Sequence, residues 1–224
     1  MANKSMITCK INYNELHSRL KKDLKAAERV VNGIIGDFKR RAPGWIAAEA
    51  AKAYNIKKTE IRPSGNFGRV PTGSICTRGN KLKNVALVYK GGPLSPVHFG
   101  TTPKVPKASY TLKTEILKGQ KKTLGKIKKP TKKQRKNIGR NFTHQGTQNS
   151  PKSPVMLMST GAKSGGEDKV KYIPFQRQSQ RRNDLEAVKT LSMPQMLTNP
   201  KVEKGIESAL SKNIGKRMNH YLNR

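Results

Sequence analysis

The sequence predicts an α+β fold: N-terminal helices, a small mostly antiparallel sheet, a packed C-terminal helix and a long basic loop. Two apolar repeats at helical spacing, Leu16 to Phe38 and Val202 to Met218, bracket the chain. Between them lie short segments whose apolar residues alternate with period two, as in strands with one buried face. The third observation is a lysine-rich run whose charge forbids burial. The expected organisation is a single domain over 1–224, with 118–153 a mobile basic insertion.

The first element is an amphipathic helix. Leu16, Leu20, Leu24, Ala27, Val31, Ile34 or Ile35, and Phe38 recur at steps of three and four, and Asn12 or Asn14 can cap its start. Pro43 is expected to end it, because the proline ring collides with the preceding turn. A second, shorter helix fits GWIAAEAAKAYN, with Trp45, Ile46, Ala50, Ala53 and Tyr54 on its apolar side.

Glycines and prolines punctuate residues 62–82, which read as loops around a short strand near Ser74–Thr77. Strands are then predicted in NVALVYK, where Val85, Leu87 and Tyr89 alternate with Ala86, Val88 and Lys90. A similar alternation runs through YTLKTEIL, from Tyr110 to Leu117. VMLMS at 155–159 and VKYIPF at 170–175 add two more. MPQM at 193–196 fits either a flexible contact surface or a filler against the sheet.

The last helix starts at Asn199 and Pro200, a cap followed by a first-turn proline. Val202, Ile206, Leu210, Ile214 and Met218 then recur every fourth residue. Glu203 and Glu207 lie toward its positive end, and Lys212, Lys216 and Arg217 toward its negative end, as the helix dipole favours.

Lys and Arg number 47 against 13 Asp and Glu, a formal net charge of +34. So large an excess points to polyanions or acidic partner surfaces, since far less suffices for solubility. It is most concentrated from Lys113 to Arg140, where 12 Lys or Arg accompany one Glu. Lys121, Lys122, Lys126, Lys128, Lys129, Lys132, Lys133, Arg135 and Lys136 are the candidate contacts to DNA or a partner. A second candidate patch is Arg177, Arg181 and Arg182, which Asp184 or Glu186 can pair. Contacts of this kind are diffuse, phosphate-directed and salt-sensitive. Aromatic residues for base stacking are nearly missing from the run, with only Phe142 beyond it, so single-strand stacking has little support.

No motif for chemistry interrupts this pattern. The chain has no GxxxxGK[ST], HExxH or GxSxG segment and no paired carboxylates, so no catalytic residue is expected. Cys9 and Cys76 are far apart and His17, His98, His144 and His220 are scattered singly, so neither a metal nor another cofactor is expected. No run approaches the roughly 20 apolar residues that span a bilayer, and the first residues lack a sustained apolar core for secretion; no membrane partner is expected.

Several stretches, in order, carry a resemblance: FKRRAPGWIAAEAAKAYNIKKTEI at 38–61, ALVYKGGPLSPVHFG at 86–100, TLKTEILKGQKKTL at 111–124, and IPFQRQSQRRNDLEAVKTLSMPQML at 173–197. Together with the final helix they cover most of the chain, and their succession resembles the phage minor tail protein Z family of tail completion proteins. The pattern is matched by Arg40, Arg41 and Trp45, by Tyr54 and Ile56, by Pro93, Leu94, His98 and Phe99, and by Gly119 with Lys121 and Lys122. It is matched also by Phe175, Arg177, Arg182, Lys189, Ser192 and Pro194–Gln195–Met196. The segment from Lys126 to Ser153 departs from it in its lysine load.

The resemblance implies a structural virion protein, made in the host bacterial cytoplasm, that finishes the tail at the head–tail junction. It implies fold and interface roles for the matched positions, partners among other tail or neck proteins, a homo-oligomeric ring with a hexamer favoured, and non-specific contact with DNA. Leu16, Leu20, Leu24, Val31, Phe38 and Trp45 are the candidate interface residues, and for the stripe from Leu16 to Phe38 a place in the core is equally open from sequence. Charge alone supports a different reading, an autonomous sequence-independent nucleic-acid-binding protein of ribosomal or chromatin type.

Overall fold

The computed structural model describes residues 3–8, 24–62, 68–81, 84–127, 155–163, 170–177 and 185–223. It is an α+β structure with helices, including a C-terminal one, and small antiparallel sheets. The chain divides into two compact units, Met1–Pro93 with Leu191–Arg224, and Leu94–Thr190. In sequence, the second unit is inserted between the two parts of the first. The inserted part is larger than 118–153 and has sheets and an apolar core of its own.

The first unit is built on two long helices. Helix α1 spans Leu24–Ala53 and runs straight through Pro43, where the sequence predicts a break. Phe38, Ala42, Ile46 and Ala50 are each 0% exposed and stand four apart, so one buried stripe crosses the proline. Burying that continuous stripe offsets the roughly 3 kcal/mol that an interior proline costs. The predicted cap at Asn12 or Asn14 lies outside the described residues.

A short helix α2, Lys58–Ile61, follows and buries Ile61. The sheet of this unit contains β1 (Asn3–Thr8), β2 (Arg69–Val70), β3 (Gly73–Arg78) and β4 (Ala86–Gly91) in the order β1-β4-β3-β2, all antiparallel. Strand β4 is central, with Ser5 and Ile75 both opposite Tyr89. Its residues Ala86, Leu87, Val88 and Tyr89 are all buried and only Lys90 is exposed. The expected alternation of a wet and a dry face is therefore not realised. A strand covered on both sides reads as a continuous apolar run, here ALVY.

The chain returns to this unit through two capped helices. Helix α3, Met193–Leu197, is held by a reciprocal cap: Ser192 Oγ accepts from Gln195 N (3.4 Å) and Gln195 Oε1 accepts from Ser192 N (2.8 Å). It packs on β1 and β4 with Met193 and Met196 wholly buried, so MPQM is core and not a contact surface. Helix α4, Pro200–Leu222, starts as predicted, with Asn199 Oδ1 accepting from Lys201 N at 3.1 Å. Val202, Ile206, Leu210, Ile214 and Met218 are all buried, and α4 packs along α1.

The second unit opens with a 3-10 turn at Pro96–Phe99, which holds His98 and buries Phe99. Strands β5 (Tyr110–Thr114) and β6 (Lys122–Ile127) form an antiparallel hairpin with a bulge at Leu112/Lys113. Strands β7 (Met156–Lys163), β8 (Val170–Arg177) and β9 (Leu185–Ala187) form an antiparallel sheet in that order. The strand predicted to reach Leu117 ends at Thr114. The expected loop over 118–153 begins instead with a strand, β6, and its part beyond Ile127 up to Ser153 lies outside the described residues.

Leu112, Val155 and Leu157 centre the core of this unit, with Tyr110, Leu124, Tyr172 and Val188 packed around them. Gly125 faces this core. A Cβ there would stand 2.4 Å from the Val155 carbonyl oxygen, so only glycine lets the two backbones meet. Leu157 N donates to the Tyr110 hydroxyl at 2.9 Å, which ties β7 to the hairpin.

Candidate functional site

The charged groups fall into two arrangements, one in each unit. In the first unit, Asp37 sits on the buried side of α1 with its side chain only 2% exposed. A carboxylate there is tolerable only because the sequence supplies partners for both oxygens. One turn further on, Arg41 Nε donates to Oδ1 at 3.0 Å and Arg40 Nη2 reaches the same oxygen at 3.4 Å. From α4, Arg217 Nε donates to Oδ2 at 2.5 Å and the Tyr221 hydroxyl at 2.9 Å.

Tyr221 fits because position 33 is glycine. A Cβ there would lie 2.7 Å from Tyr221 Cζ. The Arg217 guanidinium stands over the Tyr221 ring at 5.4 Å. Burial pushes the Asp37 carboxyl up, but hydrogen bonds from Arg217, Tyr221 and Arg41, with the Arg217 charge, outweigh it and hold the group below its ordinary value. The hydrogen bond to Asp37 in turn raises the Arg217 pKa.

Three guanidiniums thus share one carboxylate. Arg40, Arg41 and Arg217 are 73%, 54% and 28% exposed at their side chains, so the cluster presents a net positive surface whose geometry is set from beneath. Arg40 and Arg41 were identified by sequence as fold and interface positions. Asp37, Arg217 and Tyr221 as a unit were not. The available signal was an acid standing between Ile34 and Phe38 on an apolar stripe.

In the second unit the cations are lysines on a hairpin. Lys121, Lys122 and Lys126 are exposed on or beside β6. Lys126 is paired in register with Thr111, and the exposed Lys113 with Thr123, on the side of the hairpin away from Leu112 and Gly125. Glu115 accepts from Gly119 N at 2.8 Å and so serves the turn between β5 and β6. Glu186 Oε1 pairs with Lys189 at 3.2 Å.

The other predicted site residues are placed as follows. Lys128, Lys129, Lys132, Lys133, Arg135, Lys136, Arg181, Arg182, Asp184, Leu16 and Leu20 lie outside the described residues. Arg177 is the last residue of β8 and Leu24 the first of α1. Val31 and Trp45 are half-buried on α1. Phe38 is 0% exposed, a core position that leaves no surface for a partner.

Cys76 is a half-buried free thiol. Among the described residues no group of three or more His, Cys, Asp or Glu is placed to hold a metal ion, and no helix is long and apolar enough to cross a membrane. What the described charged groups can do is bind anions and anionic surfaces through guanidinium forks and ammonium groups. Compared with protein-family models, with curated proteins and with solved structures, the chain finds no match.

Proposed function

We infer that this chain is a structural protein of a phage tail, a completion protein of the minor tail protein Z kind that acts by contact at the head–tail junction. The observation that carries the reading is the ordered succession of segments resembling that family, from FKRRAPGW at 38–45 to VKTLSMPQM at 188–196. The two cationic surfaces support it physically. Exposed guanidiniums around Asp37 and the lysines of β6 suit contact with acidic neighbours and with DNA passing the junction. On this reading the protein is not an enzyme, its partners are other copies of itself and tail or neck proteins, and it ends up in the tail of the virion.

The charge excess of +34 favours one competing reading, an autonomous nucleic-acid-binding protein. Mass in solution, measured with and without nuclease treatment, separates the two. A nuclease-resistant oligomer of defined size is the result expected of a tail component. A monomer that copurifies with stoichiometric RNA and falls to its own mass after nuclease would replace the first reading with the second.

A further inference from the structure

A further set of cations lies across the sheet of the first unit. In register, Arg69 of β2 faces Ser74 of β3, Ser74 faces Lys90 of β4, and Lys90 faces Lys4 of β1. Residues directly opposite on antiparallel strands point to the same face, so these four form one row over all four strands. At roughly 4.8 Å between neighbouring strands, the row is about 14 Å long. Lys4, Lys90 and Arg69 are exposed and Ser74 is half-buried. Ala86 and Val88, on the same face of β4, are buried, so the central strand meets solvent only at Lys90.

Sheet stability does not explain this row. Like charges directly opposite one another weaken a sheet, and Lys90 has Lys4 beside it with no acid anywhere in the row. Charged side chains on outer strands guard against stray pairing, which accounts for Lys4 on β1 and Arg69 on β2. That does not account for Lys90, the one exposed residue of a strand paired on both sides. Lys4 also borders a groove lined by Glu203 and Glu207 of α4, whereas Lys90 and Arg69 do not.

The anion that suits the row is extended and polyvalent. A small ion would meet one or two of the three cations, whereas a duplex carries phosphates at short intervals along its length. A protein partner calls for apolar or aromatic anchors and few lysines. The row offers no such anchor, and Met6 in the next row, 58% exposed, is a lone apolar side chain. With no aromatic side chain in the row for bases to stack on, a duplex is favoured over a single strand.

We propose that the row Arg69, Ser74, Lys90 and Lys4 binds the phosphate backbone of duplex DNA, the three cations on phosphates and the Ser74 hydroxyl as a further donor. Contacts of this kind position the duplex without reading its sequence. The contact does not depend on tail assembly, so it can fail while the reading of the protein as a tail component stands.

The test is the affinity of the full-length chain for a short DNA duplex, measured against salt, for wild type and two triple variants. Lys4→Gln/Arg69→Gln/Lys90→Gln removes the row, and Lys201→Gln/Lys204→Gln/Lys212→Gln removes the same charge from exposed positions on α4. The row variant is expected to flatten the logarithmic salt slope by about 2 to 3, and the α4 variant by less than about 1. Its thermal midpoint should equal or exceed that of wild type, because the substitutions relieve like-charge repulsion. Equal flattening in the two variants would reduce the effect to net charge and overturn the proposal, as would a wild-type chain that binds no duplex at low salt. A row variant that keeps the wild-type slope but no longer binds polyglutamate would replace DNA with an acidic protein partner.

Discussion

The Asp37 carboxylate gathers donors from two helices that are far apart in sequence. Its lowered pKa makes this dependence visible as a function of pH. A group whose folded pKa lies below its unfolded value contributes stability above the unfolded value and loses it as pH falls through the folded one. The ordinary carboxyl value is 3.8, so the contribution is complete at neutral pH and declines below about pH 4.

Asp37→Asn keeps the shape of the side chain but removes its charge. The urea midpoint of the variant is expected to fall at pH 7 by the equivalent of about 2 kcal/mol, with a smaller further loss on acidification than wild type shows. Parallel acid profiles for the two proteins would show that the carboxylate is not the organising charge. Asp37 was poorly legible in the sequence for a physical reason: its partners Arg217 and Tyr221 lie 180 and 184 residues away. Spacing on one helix showed only that an acid interrupts an apolar stripe.

Individual elements differ in how much of their cause is local. Helix α4 was legible almost entirely, since its cap, its first-turn proline and its four-residue apolar repeat are all contained in the segment itself. Strands β3, β7 and β8 overlap the segments expected near Ser74–Thr77, at 155–159 and at 170–175, although β7 continues to Lys163. Pro43 misled because its cost is local while the compensation, burial of α1 along α4, is tertiary. Strand β1 was not foreseen. Lys4, Ser5 and Thr8 outnumber Met6 and Ile7, and the strand owes its form to pairing with β4 some 80 residues on.

Helix α3 is five residues long and could not persist without help, which makes its reciprocal cap decisive. Ser192→Ala removes the acceptor for Gln195 N, leaves the buried end of the helix open, and is expected to cost about 1 kcal/mol. Differential scanning calorimetry reads this as a lower midpoint. Thr198→Ala, at the exposed far end of the same helix, should lose much less. Equal losses at the two positions would mean that the cap contributes nothing special.

At the scale of the molecule, the division at Leu94 and Thr190 separates two kinds of charged surface. The second unit has 22 Lys and Arg against 5 Asp and Glu over its sequence, and part of this excess, including Lys113, Lys121, Lys122 and Lys126, faces solvent on the β5–β6 hairpin. If those lysines meet phosphates, binding of a short DNA duplex weakens steeply with salt, with a logarithmic slope of roughly −0.9 per phosphate contact. Replacing Lys121, Lys122 and Lys126 by Gln should flatten that slope by about 2 to 3 at every duplex sequence tried. An unchanged slope would place the DNA contacts elsewhere. Sequence alone located this charge but not its support, since a lysine run carries no signal that part of it is a strand.

We propose that the protein works as a finishing component of a phage tail, through contact alone. Electron microscopy of tails assembled with and without this chain tests it most directly. The account predicts that tails made without it accumulate unjoined to heads, and that adding the purified protein caps one tail end and restores joining. Tails that join heads equally well in its absence, or a protein that never associates with a tail end, would contradict it.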